Sequence, residues 1–269
     1  MAGEAKTNAF LLATATVMLG TQDELWDLNP AAHSIGLVKN FSIQTTPKFT
    51  DLTQGVTNTV VYTVLTDNPV QATMEAYEYT AKNLSYGLGL DGSALAPITT
   101  TDVLKTAIVG DGSTTHTVAI AAVADISAQY AVGSYVMIQG VGGTDLVFVA
   151  KILTSVFATD TQTLTLSQDI PTGVTFAAGA KVSVTHRIDV GTKVAQPFFS
   201  AKVVGILPEN NEPCVILIPK LRVIKGFTLA FSGQFGNLPF EFQPLELVTS
   251  DANYAEFANR GPVAIMSRQ

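Results

Sequence analysis

The sequence predicts a mainly β fold with one short amphipathic helix and an inserted small antiparallel β-barrel or sandwich domain. Three observations lead there. Apolar and polar residues alternate with a period of two through many short runs rich in Val, Ile, Thr and aromatics. A helical period occurs only around residues 77–88. Strand length and turn density change near residue 96 and revert near 195, which marks 96–194 as an insertion in a parent domain made of 1–95 and 195–269. A chain of 269 residues has room for both.

The first strand is expected in "FLLATATVML" (10–19). The N-terminus superficially resembles a signal peptide, but Glu4 offsets Lys6 and threonines interrupt the apolar run. "TQDELWDLNPAAH" (21–33) is a loop, with Trp26 and Leu28 plugging it onto the fold, and "SIGLVKNFSIQTTPKFT" (34–50) is strand-like. "TQGVTNTVVYTVLTDN" (53–68) reads as a long neutral strand. Val56, Asn58, Val60, Tyr62 and Val64 form one row, and Thr57, Thr59, Val61, Thr63 and Leu65 the other. Such a strand is a template for pairing with other chains. Either it lies mid-sheet in its own chain, or it pairs with copies of itself.

Val70, Ala72, Met74 and Ala76 alternate with polar neighbours as a half-buried strand. Tyr77, Ala81, Leu84 and Leu88 then share a helical face of about three turns, closed by Gly87 and Gly89. Tyr77, Tyr79 and Tyr86 read as packing and interface residues. In the middle region "VLKTAIV", "THTVAI", "YVMIQG", "DLVFVAKIL", "TLTLSQ" and "KVSVTHRIDV" are strands. "GDGST" (110–114) and "GVGGTD" (140–145) lack a P-loop ending and read as hairpin turns. The last region returns to long strands, with Phe227, Leu229, Phe231 and Phe235 in one row and Thr228, Ala230, Ser232 and Gln234 in the other.

Charged residues make up 14% of the chain, against roughly 25% in ordinary globular proteins. The surface is therefore neutral polar or is buried against partners. A net charge of −7 argues against gripping nucleic acid through its phosphates. No stretch approaches the roughly 20 apolar residues of a membrane span. Cys214, in "EPCVILIP", reads as a small buried hydrophobe. His33, His116 and His186 have no metal-ligand spacing, and no catalytic motif stands out, so neither metal, cofactor nor enzymatic activity is expected. Lys220, Arg222 and Lys225 form a small basic group suited to a solvated strand face or a partner contact.

The run "ELWDLNPAAHSIGLVKNFSIQTTPKFTDLTQG" followed by "NPVQATMEAYEYTAKNLSYGLGLDGS" resembles the major tail tube proteins of long-tailed bacteriophages, the strand-to-helix segment being its most specific part. The resemblance covers about residues 9–95 and, less specifically, 215–250. It implies a β-sandwich flanked by a helix, assembled into hexameric rings that stack into a tube through which the genome passes without specific binding. Such a subunit belongs to the virion tail and assembles in the host cytoplasm. Its partners are copies of itself and other tail proteins: a tape measure, a baseplate or tail tip, a terminator and, where the tail contracts, a sheath. On this resemblance the candidates facing the lumen are Thr57, Thr59, Thr63, Thr228, Ser232 and Gln234, with the apolar rows turned to the sandwich core. Acidic repulsion of DNA rests on loop residues such as Asp51 and Asp67. Candidates for contacts between rings or subunits are Trp26, Asp27, Leu28, Asn29, Pro30, Tyr77 and Tyr79, Trp26 serving equally well as a cap on its own core. The inserted domain would sit outside the tube. The alternative is a β-rich adhesin or carbohydrate-binding module, which needs exposed aromatics in the middle region. Tyr130, Tyr135, Phe148, Phe157 and Phe176 are mostly placed like core residues instead.

Overall fold

The computed structural model describes residues 15–54, 59–95, 97–113, 116–142, 145–191, 196–206, 212–225 and 238–267. The chain is mainly β and divides into two compact units, Met1–Ala96 with Val190–Gln269, and Pro97–Asp189. In chain order the first unit contributes β1 (Ala15–Thr21), a 3-10 turn (Gln22–Glu24), α1 (Pro30–His33), β2 (Val38–Thr45), β3 (Lys48–Gln54), β4 (Thr59–Asp67), β5 (Val70–Ala76) and α2 (Ala81–Gly87). The second contains β6 (Asp102–Val103), β7 (Ile108–Val109), β8 (His116–Ala121), β9 (Tyr135–Gln139), β10 (Val147–Ala158), β11 (Thr161–Leu166), β12 (Thr175–Phe176) and β13 (Lys181–Thr185). The chain then returns to the first with β14 (Phe199–Ile206), β15 (Pro213–Lys225), β16 (Leu238–Pro244), α3 (Tyr254–Phe257) and β17 (Ala264–Ser267).

In the first unit an antiparallel sheet runs β1-β14-β15-β16-β5-β2. β15 is long enough to serve two partners on one side, giving Cys214–Leu217 to β17 and Leu221–Lys225 to β16. The sheet curls, and the amide of Ile35, just ahead of β2, donates to the Val17 carbonyl of β1 at 3.1 Å. Alternation then turns one side of every strand inward: Val17 and Leu19, Ala72 and Met74, Phe199 and Ala201, Phe240 and Phe242 are at most 3% exposed. On the opposite face of β1 and β15, Met18, Leu25, Leu28, Leu217 and Phe257 make a smaller core.

The helix is shorter than its periodicity predicts. Thr80 has extended backbone angles (φ −98°, ψ 155°), and its hydroxyl accepts the Asn83 amide at 3.1 Å, so the helix starts at Ala81 and Tyr77 lies outside it. Its buried residues are Asn83, Ser85, Tyr86 and Gly87 rather than the expected leucine face. The Asn83 side chain donates to the carbonyls of Ile35 and Glu78, both at 2.9 Å, and fastens the helix to the mouth of the curled sheet. Gly89, at φ +72°, closes it: its amide reaches the Tyr86 carbonyl at 2.9 Å and that of Leu90 reaches Ser85 at 2.8 Å.

The inserted unit is a six-stranded antiparallel sheet, β6-β13-β9-β10-β11-β8. A bridge between Leu104 and Ile120 joins its two ends, so the sheet wraps around its own core. β10 turns the corner, pairing with β9 through Val147–Lys151 and with β11 from Ile152 onward. Residues 140–145 connect paired strands β9 and β10, as a hairpin should. Residues 110–114 do not: β7 pairs with β12 and β8 with β11. Gly110 instead lies backbone to backbone against 170–172. A Cβ on Gly110 would stand 2.1 Å from the Ile170 carbonyl oxygen, which is why glycine occupies that position. Among the described residues no helix is long and apolar enough to cross a membrane.

Candidate assembly surface

β3 and β4 are continuations of β2 and β5, cut off from the main sheet by a matched pair of prolines. Pro47 and Pro69 have no amide to give to a ladder, and they stand at the two points where the paired strands leave the sheet. The amide of Thr46 bonds the Pro69 carbonyl at 3.1 Å across this neck. Beyond it, among the described residues, β3 and β4 pair only with each other, forming a separate two-stranded sheet. Every residue of both strands is exposed.

The register, with a shift between Leu52 and Thr53, sorts the hairpin into two faces. Leu52 lies opposite Tyr62 and Thr50 opposite Val64, so Leu52, Tyr62 and Val64 share one face, while Val60, opposite Thr53, is carried to the other. The expectation that Val60, Tyr62 and Val64 pack as one row into the subunit's own core is corrected: Val60 is 50%, Tyr62 64% and Val64 46% exposed. The hairpin extends beyond the proline neck. The other face carries Asp51 opposite Thr63, whose hydroxyl donates to the carboxylate at 2.7 Å, with Val60 on one side and Phe49 and Leu65 nearer the neck. Asp51 is thus a strand residue among the threonines, not a loop acid. Asp67 ends β4 and pairs with Lys48 at 2.9 Å.

A lone two-stranded hairpin is marginal in water. Covering the three apolar side chains Leu52, Tyr62 and Val64 would contribute on the order of 4.5 kcal/mol, at about 1.5 kcal/mol or more each. An exposed apolar patch bounded by unpaired strand edges marks an interaction surface.

The other sequence-derived candidates fall in three groups. Thr59 and Thr63 lie on β4, exposed, Thr63 beside Asp51. Thr57, Thr228, Ser232 and Gln234 lie outside the described residues, as does the Phe227–Phe235 row. In the 21–33 loop, Leu28 is buried at 3% exposure and belongs to its own subunit's core. Trp26, 53% exposed, stacks on Phe257 with ring centroids 6.2 Å apart and keeps an open face. Asp27, Asn29 and Pro30 are exposed; the Asn29 side chain caps α1 by accepting the Ala32 amide at 2.9 Å. Tyr77 is half-buried, with its hydroxyl on Glu75 at 3.0 Å and Lys39 over its ring, while Tyr79 is 43% exposed.

Two expectations change. Lys220 is no solvated strand residue: it is buried, ion-paired with Asp251 at 2.7 Å, with its ammonium 4.4 Å from the centre of the Phe198 ring. Arg222 is exposed and donates twice to Gln243. Cys214 is half-buried rather than buried, because it sits near the start of β15 between Gly205 and Ser267, which bring little side-chain cover. In the inserted unit Tyr130 and Phe176 are buried, and Tyr135, Phe148 and Phe157 are half-buried.

Compared with protein-family models and with curated proteins, the chain matches none of them. The structure by itself defines a mainly β chain of two units, the first extending an uncovered hairpin from its sheet.

Proposed function

We propose that this chain is a self-assembling structural subunit, and specifically a tail tube protein of a long-tailed bacteriophage. The observation that carries the reading is the β3–β4 hairpin, an arm with apolar side chains exposed on both faces among the described residues. An arm that docks on a different surface of an identical neighbour makes a head-to-tail contact, and such contacts close into rings when the rotation per step closes. Stacked hexameric rings then form the conduit, and the pairing hazard of a neutral strand disappears inside a closed wall.

On this reading the Leu52–Tyr62 side seals against the neighbouring subunit, and the face bearing Asp51 and Thr63 turns to the lumen. Hydroxyls and a carboxylate offer DNA no cation to hold, in keeping with a net charge of −7. The alternative of an adhesin or carbohydrate-binding module gains nothing from the inserted unit, whose five aromatic residues are all buried or half-buried. Negative-stain electron microscopy across a concentration series is the test. Rings or tubes with a central hole in the wild type, lost when residues 48–67 are replaced by a short linker, support the proposal. A chain that stays monomeric and does not join seeded tail assembly contradicts it.

A further inference from the structure

The inserted unit gathers three metal-ligating side chains that the sequence keeps far apart. Asp111 comes from the loop after β7, His116 opens β8, and Asp169 follows β11. His116 Nδ1 lies 2.6 Å from Asp169 Oδ1, and these side chains are only 11% and 8% exposed. One ligand atom from each of the three residues falls within 4.8 Å of the others. We propose that Asp111, His116 and Asp169 bind one divalent transition-metal ion, which pins the 110–116 loop to the segment after β11. The inference is independent of the conduit reading.

The surroundings orient the donors as a metal site requires. The other oxygen of Asp169, Oδ2, accepts the backbone amides of Asp111 at 3.1 Å and Gly112 at 2.7 Å, which fixes the carboxylate plane and leaves Oδ1 toward the imidazole. Asp111 is itself held by the Ser113 amide on Oδ1, at 3.0 Å. Burial pushes the Asp169 carboxyl up, but the Gly112 amide, the imidazole and the Asp111 amide together outweigh it and hold it below the ordinary value. Hydrogen bonds from Ser113 do the same for Asp111. Both carboxylates are therefore ionised at neutral pH.

Bonds of about 2.1 Å place tetrahedral ligands about 3.4 Å apart, so a separation of 4.8 Å must close by roughly 1.4 Å and the 2.6 Å His116–Asp169 pair must open by roughly 0.8 Å. Exposed Asp111 can supply the closing movement. On binding, the imidazole turns its Nδ1 lone pair to the ion and carries its proton on Nε2. One imidazole with two carboxylates suits zinc, manganese or cobalt better than calcium, which prefers an all-oxygen shell.

Chelator-treated full-length protein titrated with zinc chloride by calorimetry tests the site, with manganese and calcium chloride alongside. The expected result is one zinc per chain, weakened at least tenfold by Asp111→Asn, the loss usual for removing even an outer-shell partner. His116→Ala should abolish it. Asp111 is exposed, so its variant keeps the fold, checked by circular dichroism, even if a change at His116 does not. No zinc uptake at millimolar concentration, or uptake that Asp111→Asn leaves unchanged, overturns the proposal.

Discussion

Replacing Tyr62 by serine separates the two roles a strand residue can have, holding its own subunit together or joining subunits. Tyr62 is 64% exposed within its chain and lies opposite Leu52 across the strands. Losing that pair costs the isolated subunit at most about 1 kcal/mol, a fall in Tm of roughly 2–4 °C for a chain of this size. Assembly is affected far more. If a neighbour covers the exposed 64% of a side chain of about 200 Å², some 130 Å² leaves water, worth about 3 kcal/mol at 25 cal/mol per Å². That energy is more than a hundredfold in the association constant of each contact. Sedimentation velocity across a concentration series, paired with thermal melting, reads both quantities. A shift of the assembly midpoint to over a hundredfold higher concentration with a nearly unchanged Tm is expected. A Tm loss above roughly 8 °C, or an assembly midpoint within threefold of wild type, would refute the reasoning.

Lys220→Met leaves the Asp251 carboxylate with little solvent and no counter-charge, and should cost about 3 kcal/mol in urea unfolding. Asp251 also predicts an acid dependence. Burial raises its carboxyl, but Lys220, the Val248 amide and the Gln22 side chain together hold it below the ordinary 3.8. The unfolded chain therefore takes up this proton first, so the contribution is complete above the ordinary aspartate range and is lost as pH falls through the lower folded value. Urea midpoints measured on the acid side should fall less steeply in Asp251→Asn than in wild type. Tyr86→Ala removes a fully buried ring packed edge-on against Phe199 at 5.3 Å and should cost about 4 kcal/mol, whereas Tyr86→Phe, whose hydroxyl only grazes the Leu19 carbonyl at 3.5 Å, should cost under about 1 kcal/mol. Gly110→Ala drives a methyl into the Ile170 carbonyl and should destabilise the protein by more than about 2 kcal/mol in the same assay.

Period-two alternation made the strands legible. Val70, Ala72, Met74 and Ala76 are the buried row of β5, as their spacing said, because a strand's two faces are set by the pleat alone. The helix boundary was less legible, since Tyr77 continues the spacing of Ala81 and Leu84 while the Thr80 hydroxyl, one local bond, decides where the helix starts. The alternation from Tyr62 to Leu65 could be read, but not the register shift that turns Val60 and Thr59 to the opposite faces, nor what covers the hairpin, because that depends on Pro47 and Pro69 acting together across a pairing that sequence order does not display. Asp51 was misplaced for a related reason: only the register with Thr63 puts it in the strand's polar row. Lys220 with Asp251, and Asp111 with His116 and Asp169, are partners joined by topology across long stretches of chain. Nothing in their local spacing announces them.

Hydrogen exchange of the β3–β4 amides in dilute and assembled protein tests the central claim most directly. A hairpin that pairs only with itself, beyond the proline neck, should exchange close to the rate of unprotected amides in the dilute subunit while β5 and β14 stay protected. On assembly residues 48–54 and 59–67 should become protected with the rest of the sheet. Hairpin amides already protected in the dilute subunit, or still unprotected in the assembled protein, would contradict the account.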